Sequence, residues 1–243
     1  MIPYILSLII FVLLIGLGVW QWHRAEIKEN LNRYQKHQHD LPILSENDLN
    51  TCPLSQLKLR QGKIKGTFHP NYVYLLDNQT HQGQVGYHVL ALFKPDTTND
   101  TDWILVNRGW IPGLPLRSEL PKISIPLDKI EIEGLFYLPT PSPFNSHMAP
   151  EDNLLYWPRR IQMADFIEIA NELSISLIPM IFNLSDHSQA VLGPLPMIKN
   201  RMTPERHRGY ALQWAGLAVV WLVGNFILLK TSKKRKSGDL SSI

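Results

Sequence analysis

The sequence predicts two terminal transmembrane helices flanking a mainly antiparallel β domain, barrel- or sandwich-like, of α+β type and extracytoplasmic, with one amphipathic helix. Three observations predict it. Residues 1–22 and 209–229 carry no charged side chain. Between them run several short segments of period-two apolar pattern, separated by turn-forming residues. One segment, 163–173, has helical period instead.

The first element is the run from Met1 to Trp22. A helix of roughly 20 residues rises about 30 Å, enough to cross a bilayer. A cleavable signal peptide fits badly, because there is no basic stretch before the apolar run and no small-x-small site after it. Residues 23–55 form a polar lead-in. Strands are expected in 56–68, 71–78, 84–94, 102–110, 128–138 and 177–185. Trp103-Ile104-Leu105-Val106 is apolar on both faces and reads as a buried strand. Asn78 to Gly83 and Pro95 to Asp100 supply turns. Nine of the 18 prolines lie between Pro112 and Pro158 and imply two long irregular loops. Met163, Phe166, Ile167, Ala170 and Leu173 mark the apolar face of the helix. The β-rich domain spans 56–192, a linker 193–208, the second span 209–229 and a basic tail 230–243.

Charge orients the chain. Of 243 residues, 44% are hydrophobic and 19% charged, with a net charge of +3. The tail contributes Lys230, Lys233, Lys234, Arg235 and Lys236 against Asp239, so the body is close to neutral. Such a body is a poor nucleic-acid binder. Five cations directly after a span favour a cytoplasmic C-terminus, which puts both termini in the cytoplasm and the middle outside. Trp20 and Trp22 end the first span, and Tyr210 and Trp214 open the second, as one interfacial belt. Asn225 and Gln213 inside the second span are expected to face a partner. A single cysteine, Cys52, excludes a disulfide framework and a Cys-based metal site.

No recognisable enzyme motif is present: no G-x-S-x-G, H-E-x-x-H, Walker loop or G-x-G-x-x-G. His37-Gln38-His39 reads as solvated, and His88 as a strand histidine of the core or surface. Arg108, in Asn107-Arg108-Gly109-Trp110-Ile111-Pro112, has two readings: part of a structural turn, or a fork for a carboxylate. His207 also has two. On a continuous helix His207, Tyr210 and Trp214 share a face, and an imidazole beside aromatic walls suits a haem iron. Arg206 and Arg208 flank it, Arg24 ends the first span at similar depth, and these cations suit two propionates. The other reading is an interfacial histidine with snorkelling arginines.

Several stretches together resemble the surfeit locus protein 1 family, the membrane-anchored assembly factors of cytochrome c oxidase. They are Leu17-Gly18-Val19-Trp20-Gln21-Trp22-His23-Arg24 with Lys28, Gly86-Tyr87-His88-Val89, Val106-Asn107-Arg108-Gly109-Trp110-Ile111-Pro112, Glu133-Gly134, Trp157, and His207-Arg208-Gly209-Tyr210-Ala211-Leu212-Gln213-Trp214. The chain departs from the pattern at Arg206, Gln213 and Ala91-Leu92-Phe93. The resemblance implies a non-enzymatic role in the maturation of oxidase subunit I, in a bacterial inner membrane. It implies binding and delivery of haem a with His207 as iron ligand, and a haem a synthase as a possible further partner beside the lipid bilayer. A scaffold that stabilises an oxidase intermediate without touching haem is the alternative.

Overall fold

The computed structural model describes residues 2–96, 102–139, 157–195 and 202–239. The expected turn at 95–100, the second proline-rich loop and part of the 193–208 linker therefore lie largely outside the described residues. The chain divides into two compact units: residues 1–36 with 199–243, and residues 37–198.

The first unit is a helix pair. Helix α1 spans Ile2–Asp40, so most of the stretch read as a polar lead-in continues the apolar helix. No proline or glycine interrupts it after Gly18, and residues 23–40 are rich in helix-tolerant polar side chains. The partner helix, α4 below, spans Pro204–Asp239 and starts inside the expected linker, with Pro204 as its first residue, where a missing N–H costs nothing. Both helices are long and apolar enough to cross a membrane.

The second unit starts with a 3₁₀ turn at Glu46–Asn50 and a short helix α2, Leu54–Leu57. Six strands follow among the described residues: β1 Gln61–His81, β2 Gln84–Pro95, β3 Asp102–Pro112, β4 Ile130–Tyr137, β5 Arg159–Ile161 and β6 Ser176–Leu184. Helix α3, Phe166–Leu173, lies between β5 and β6, and α4 ends the chain order. The sheet is mixed. Strand β1 pairs antiparallel with β2 and β4, β2 with β3, and β4 with β6, while β3–β6 and β1–β5 are parallel. Four of the six pairings are antiparallel, as the mainly antiparallel expectation has it; the parallel β3–β6 pair is possible because the long connection between them, through β4, β5 and α3, allows a crossover.

Two of the expected strands are one. The segments 56–68 and 71–78 join in β1, whose register against β2 shifts between Phe68 and Val73. Pro70 lies at that irregularity, where a missing N–H is tolerated. The strand also starts later than expected, because Leu57 belongs to α2 and Leu59 takes a left-handed φ of 63°. The β1–β2 hairpin closes through Gln82 and Gly83, at φ 49° and 83°, as a two-residue turn with both φ positive requires.

Alternation splits the apolar side chains into two cores. Ile64, Val73, Leu75, Val89, Phe93, Ile104, Val106, Ile132, Phe136 and Phe182 pack on one face of the strands. Tyr74, Leu90, Leu92, Leu105, Ile161 and Ile181 pack on the other, with Ile169 of α3. Strand β3 is buried on both sides, as its apolar run predicts. Asp165 caps α3 by accepting from the backbone N–H groups of Ile167 and Glu168, both at 3.0 Å. The buried face of α3 is Phe166, Ile169 and Leu173; Ile167, expected inside, is 75% exposed. Only about two helical turns meet the sheet, so a one-residue rotation of the face changes which isoleucine is covered.

The end of β3 is held from outside the sheet. The Trp110 N–H donates to the Pro194 carbonyl at 2.8 Å, and the Leu192 N–H to the Arg108 carbonyl at 2.7 Å. This strap passes so close that a Cβ on Gly109 would lie 2.2 Å from the Gly193 carbonyl oxygen, and Gly109 itself has φ 110°. Gly109→Ala should therefore destabilise the β domain by about 2–3 kcal/mol, from steric clash and a strained φ together. A lower urea midpoint with unchanged far-ultraviolet dichroism is the expected result.

Candidate functional site

The two long helices meet along seams of near-heptad spacing. On α4 the inward positions are His207, Ala211, Trp214, Ala218, Trp221 and Asn225, at alternating intervals of four and three. That spacing keeps one stripe against a partner helix. The helices run antiparallel. Ser7 Oγ donates to Asn225 Oδ1 at 2.7 Å, and Trp221 Nε1 donates to the Ser7 carbonyl at 3.0 Å. At Gly18 an added Cβ would sit 3.6 Å from both the Ala211 carbonyl oxygen and Trp214 Cβ, so the backbones pass closely there. Asn225 thus faces a partner as expected, whereas Gln213 is exposed.

His207 lies at the start of this seam and is only 5% exposed. Its Nδ1 is 2.7 Å from Oε1 of Gln21 on α1. An amide oxygen only accepts, so this contact is a hydrogen bond in the tautomer that carries its proton on Nδ1. In a neutral imidazole the lone pair is then on Nε2, which has no hydrogen-bond partner among the described residues. The same helix pair also carries an apolar groove of about 330 Å³, lined from Leu14 to Trp22 on α1 and by Ala211, Leu212 and Ala215 on α4; His207 and Gln21 are not part of its lining.

The other residues of the expected site are placed differently. Arg208 pairs with Glu29 of α1 and is not a free cation. Arg24 and Arg206 are exposed. Tyr210 is 44% exposed and stands off the seam that holds His207 and Trp214. The expected face took Tyr210 from a three-residue step, but the seam steps by four from His207 to Ala211. Gln21 was not singled out, although it sits within the quoted run at the end of the first span. No group of three or more His, Cys, Asp or Glu side chains that could hold a metal occurs among the described residues.

Two of the stretches that carry the family resemblance, 86–89 and 106–112, meet in the sheet: Gly86, Tyr87 and His88 pair with Pro112, Ile111 and Trp110. Their work is architectural. Arg108, 3% exposed, donates from Nε to the Ala190 carbonyl and from Nη1 to the Ser124 carbonyl, both at 2.8 Å. Its guanidinium also lies 5.3 Å from the Phe68 ring centroid. Burial pushes its pKa down to about 10, so it stays charged at neutral pH. Asn107 Oδ1 accepts from the Gly109 N–H, and Asn107 Nδ2 donates to Asn183 Oδ1, both at 3.0 Å. Trp110 Nε1 donates to the Gln79 carbonyl at 3.0 Å.

A cavity of about 590 Å³ opens beside this ladder, with His81, His88, Trp110 and Asp186 among its walls. Burial pushes the His88 pKa below 6.5; the Gly109 carbonyl opposes this and His81 adds to it. A base whose folded pKa is depressed supports the fold fully above its unfolded value of about 6.5, and that support is lost as pH falls through the folded value. The β domain should therefore weaken as pH falls below about 6.5, and His88→Gln should flatten that segment. Urea midpoints followed by tryptophan fluorescence at several pH values test this.

Two apolar helices at opposite ends of the sequence, each long enough to cross a membrane, and a mixed β domain between them define a class: a membrane-anchored protein with a β domain between its anchors. The model of the SURF1 family matches residues 8–219, and the chain belongs to that family, known as assembly factors of cytochrome c oxidase. A SURF1-like protein of Rickettsia felis is 27% identical over 229 residues, covering 89% of this chain and 92% of its own length. Surfeit locus protein 1 of Mus musculus is 25% identical over 222 residues, covering 83% and 67%. A SURF1-like protein of Dictyostelium discoideum is 29% identical over 112 residues, covering 43% and 40%.

Proposed function

We propose that this chain is an assembly factor of a bacterial inner membrane that receives haem a, holds it through His207 and aids its delivery to cytochrome c oxidase subunit I. The observation that supports the reading is the buried His207, with Nδ1 held against Gln21 and Nε2 without a hydrogen-bond partner among the described residues, on the helix pair that also carries the apolar groove. The donor set fits the group: one neutral imidazole nitrogen for an iron, and an apolar surface for a macrocycle or its tail. It fits the propionates less fully, since Arg208 already has Glu29. Exposed Arg24 and Arg206 are the cations left for them. Bound haem a supplies the redox and oxygen chemistry of the oxidase, and this protein only carries it.

His207 binds, Gln21 orients, and the groove excludes water. A carrier must also release its cargo, and a single imidazole ligand suits transfer better than a closed cage. Purification after co-expression with a haem a synthase is the test. A haem a spectrum in the wild type, absent in His207→Ala, supports the reading; no haem in the wild type favours the scaffold that stabilises an oxidase intermediate without haem.

The orientation we propose puts both termini in the cytoplasm and the β domain outside, from the basic tail after the second span. Alkaline phosphatase inserted within residues 97–102 should be active, and fused after Ile243 inactive. The reverse result would invert the topology.

A further inference from the structure

We propose that Gln21 is a positioning residue: its amide oxygen holds His207 as the Nδ1–H tautomer and so keeps the Nε2 lone pair available to a Lewis-acidic iron. This rests on the proposed haem site for its purpose, but its geometry stands alone. The contact is 2.7 Å between side chains 186 positions apart in the sequence. It lies on the seam between α1 and α4, where each helix has a small buried residue one turn along, Ala25 on α1 and Ala211 on α4. Small neighbours leave the amide and the imidazole room to meet. His207 is nearly fully buried, so water cannot freely supply a competing partner for Nδ1.

The chemistry explains why an amide suits this place. Metal-binding histidines nearly always donate their second ring N–H to a fixed acceptor, which sets ring orientation and tautomer. A carboxylate acceptor would do the same but would also favour the imidazolium, which has no lone pair. An amide oxygen orients without adding charge. A free imidazole in water partitions between tautomers and rotamers, and each wrong one must be undone before iron can bind.

The test needs no haem for its first arm. Full-length protein labelled with ¹⁵N-histidine is placed in lipid nanodiscs, and two-bond ¹⁵N–¹H correlations report each ring tautomer. The His207 signals are those lost in His207→Ala. The wild type should show the Nδ1–H pattern, Gln21→Leu should lose it, and Gln21→Glu should keep a proton on Nδ1. A wild-type Nε2–H pattern, or no change in Gln21→Leu, overturns the proposal.

The second arm uses protein co-expressed with a haem a synthase. Gln21→Leu should retain roughly tenfold less haem, the usual scale for losing such an orienting partner. Gln21→Glu should recover part of it, with a shifted spectrum. If Gln21→Leu changes the tautomer but not the haem content, the positioning role is wrong. If the wild type shows the Nδ1–H pattern but carries no haem, the tautomer assignment stands and the haem reading falls.

Discussion

On the proposed haem reading, His207→Ala should leave the protein folded and in the membrane and lower its haem content by roughly tenfold or more. The seam retains Ala211, Trp214, Ala218, Trp221 and Asn225, so the helix pair should persist without the imidazole. The cost to folding is the unsatisfied Gln21 amide, about 1–3 kcal/mol if no water reaches it. If haem is the cargo, oxidase maturation should fall in parallel. Trp214→Ala and Tyr210→Ala should have smaller effects, Tyr210 least, since it stands off the seam. Visible spectra of the purified variants, with tryptophan fluorescence to confirm folding, make the comparison. Wild-type haem content in His207→Ala would transfer the reading to the scaffold alternative.

Arg108→Ala should destabilise the β domain and leave the helix pair unchanged. The guanidinium ties β3 to Ser124 in the segment before β4 and to Ala190 in the strap after β6. Removing it strands both carbonyls and opens a void beside Phe68. Each of the two lost charge-assisted hydrogen bonds is worth about 1.5–3 kcal/mol, so the total loss is about 3–6 kcal/mol. For a domain of this size that is roughly 10 °C in Tm. Arg108→Lys should rescue little, because one ammonium does not reproduce the two diverging donors of the guanidinium. Limited proteolysis should release fragments from the β domain of the variant first. A variant that resists protease like the wild type and still fails in oxidase maturation would make Arg108 a contact for a partner.

The Arg108 reading is one that local sequence supported, since a Gly109 and Pro112 turn pointed to structure. What it could not supply was the identity of the partners. Ser124 and Ala190 offer only backbone carbonyls, which every residue has, so no side-chain pattern marks them. The same limit hid Gln21. A polar residue near the end of an apolar run has many readings, and its acceptor role exists only once α4 lies against α1.

The apolar ends, the strand-like middle and the position of α3 follow from composition and period, because burial of nonpolar area acts on each segment through its own pattern. His207 was legible too, as a histidine at the end of a span. Register was not. Whether 56–68 and 71–78 are two strands or one depends on how β1 pairs with β2 across the irregularity at Pro70. Whether Ile167 or Ile169 is covered depends on how α3 sits on the sheet. Which cations remain beside His207 depends on Glu29 reaching Arg208 first. By itself, the sequence determined which segments leave water and which of them ends in a histidine. The tertiary structure alone decided which groups meet, because hydrogen bonds and ion pairs act over a few ångströms and join residues that the chain keeps far apart.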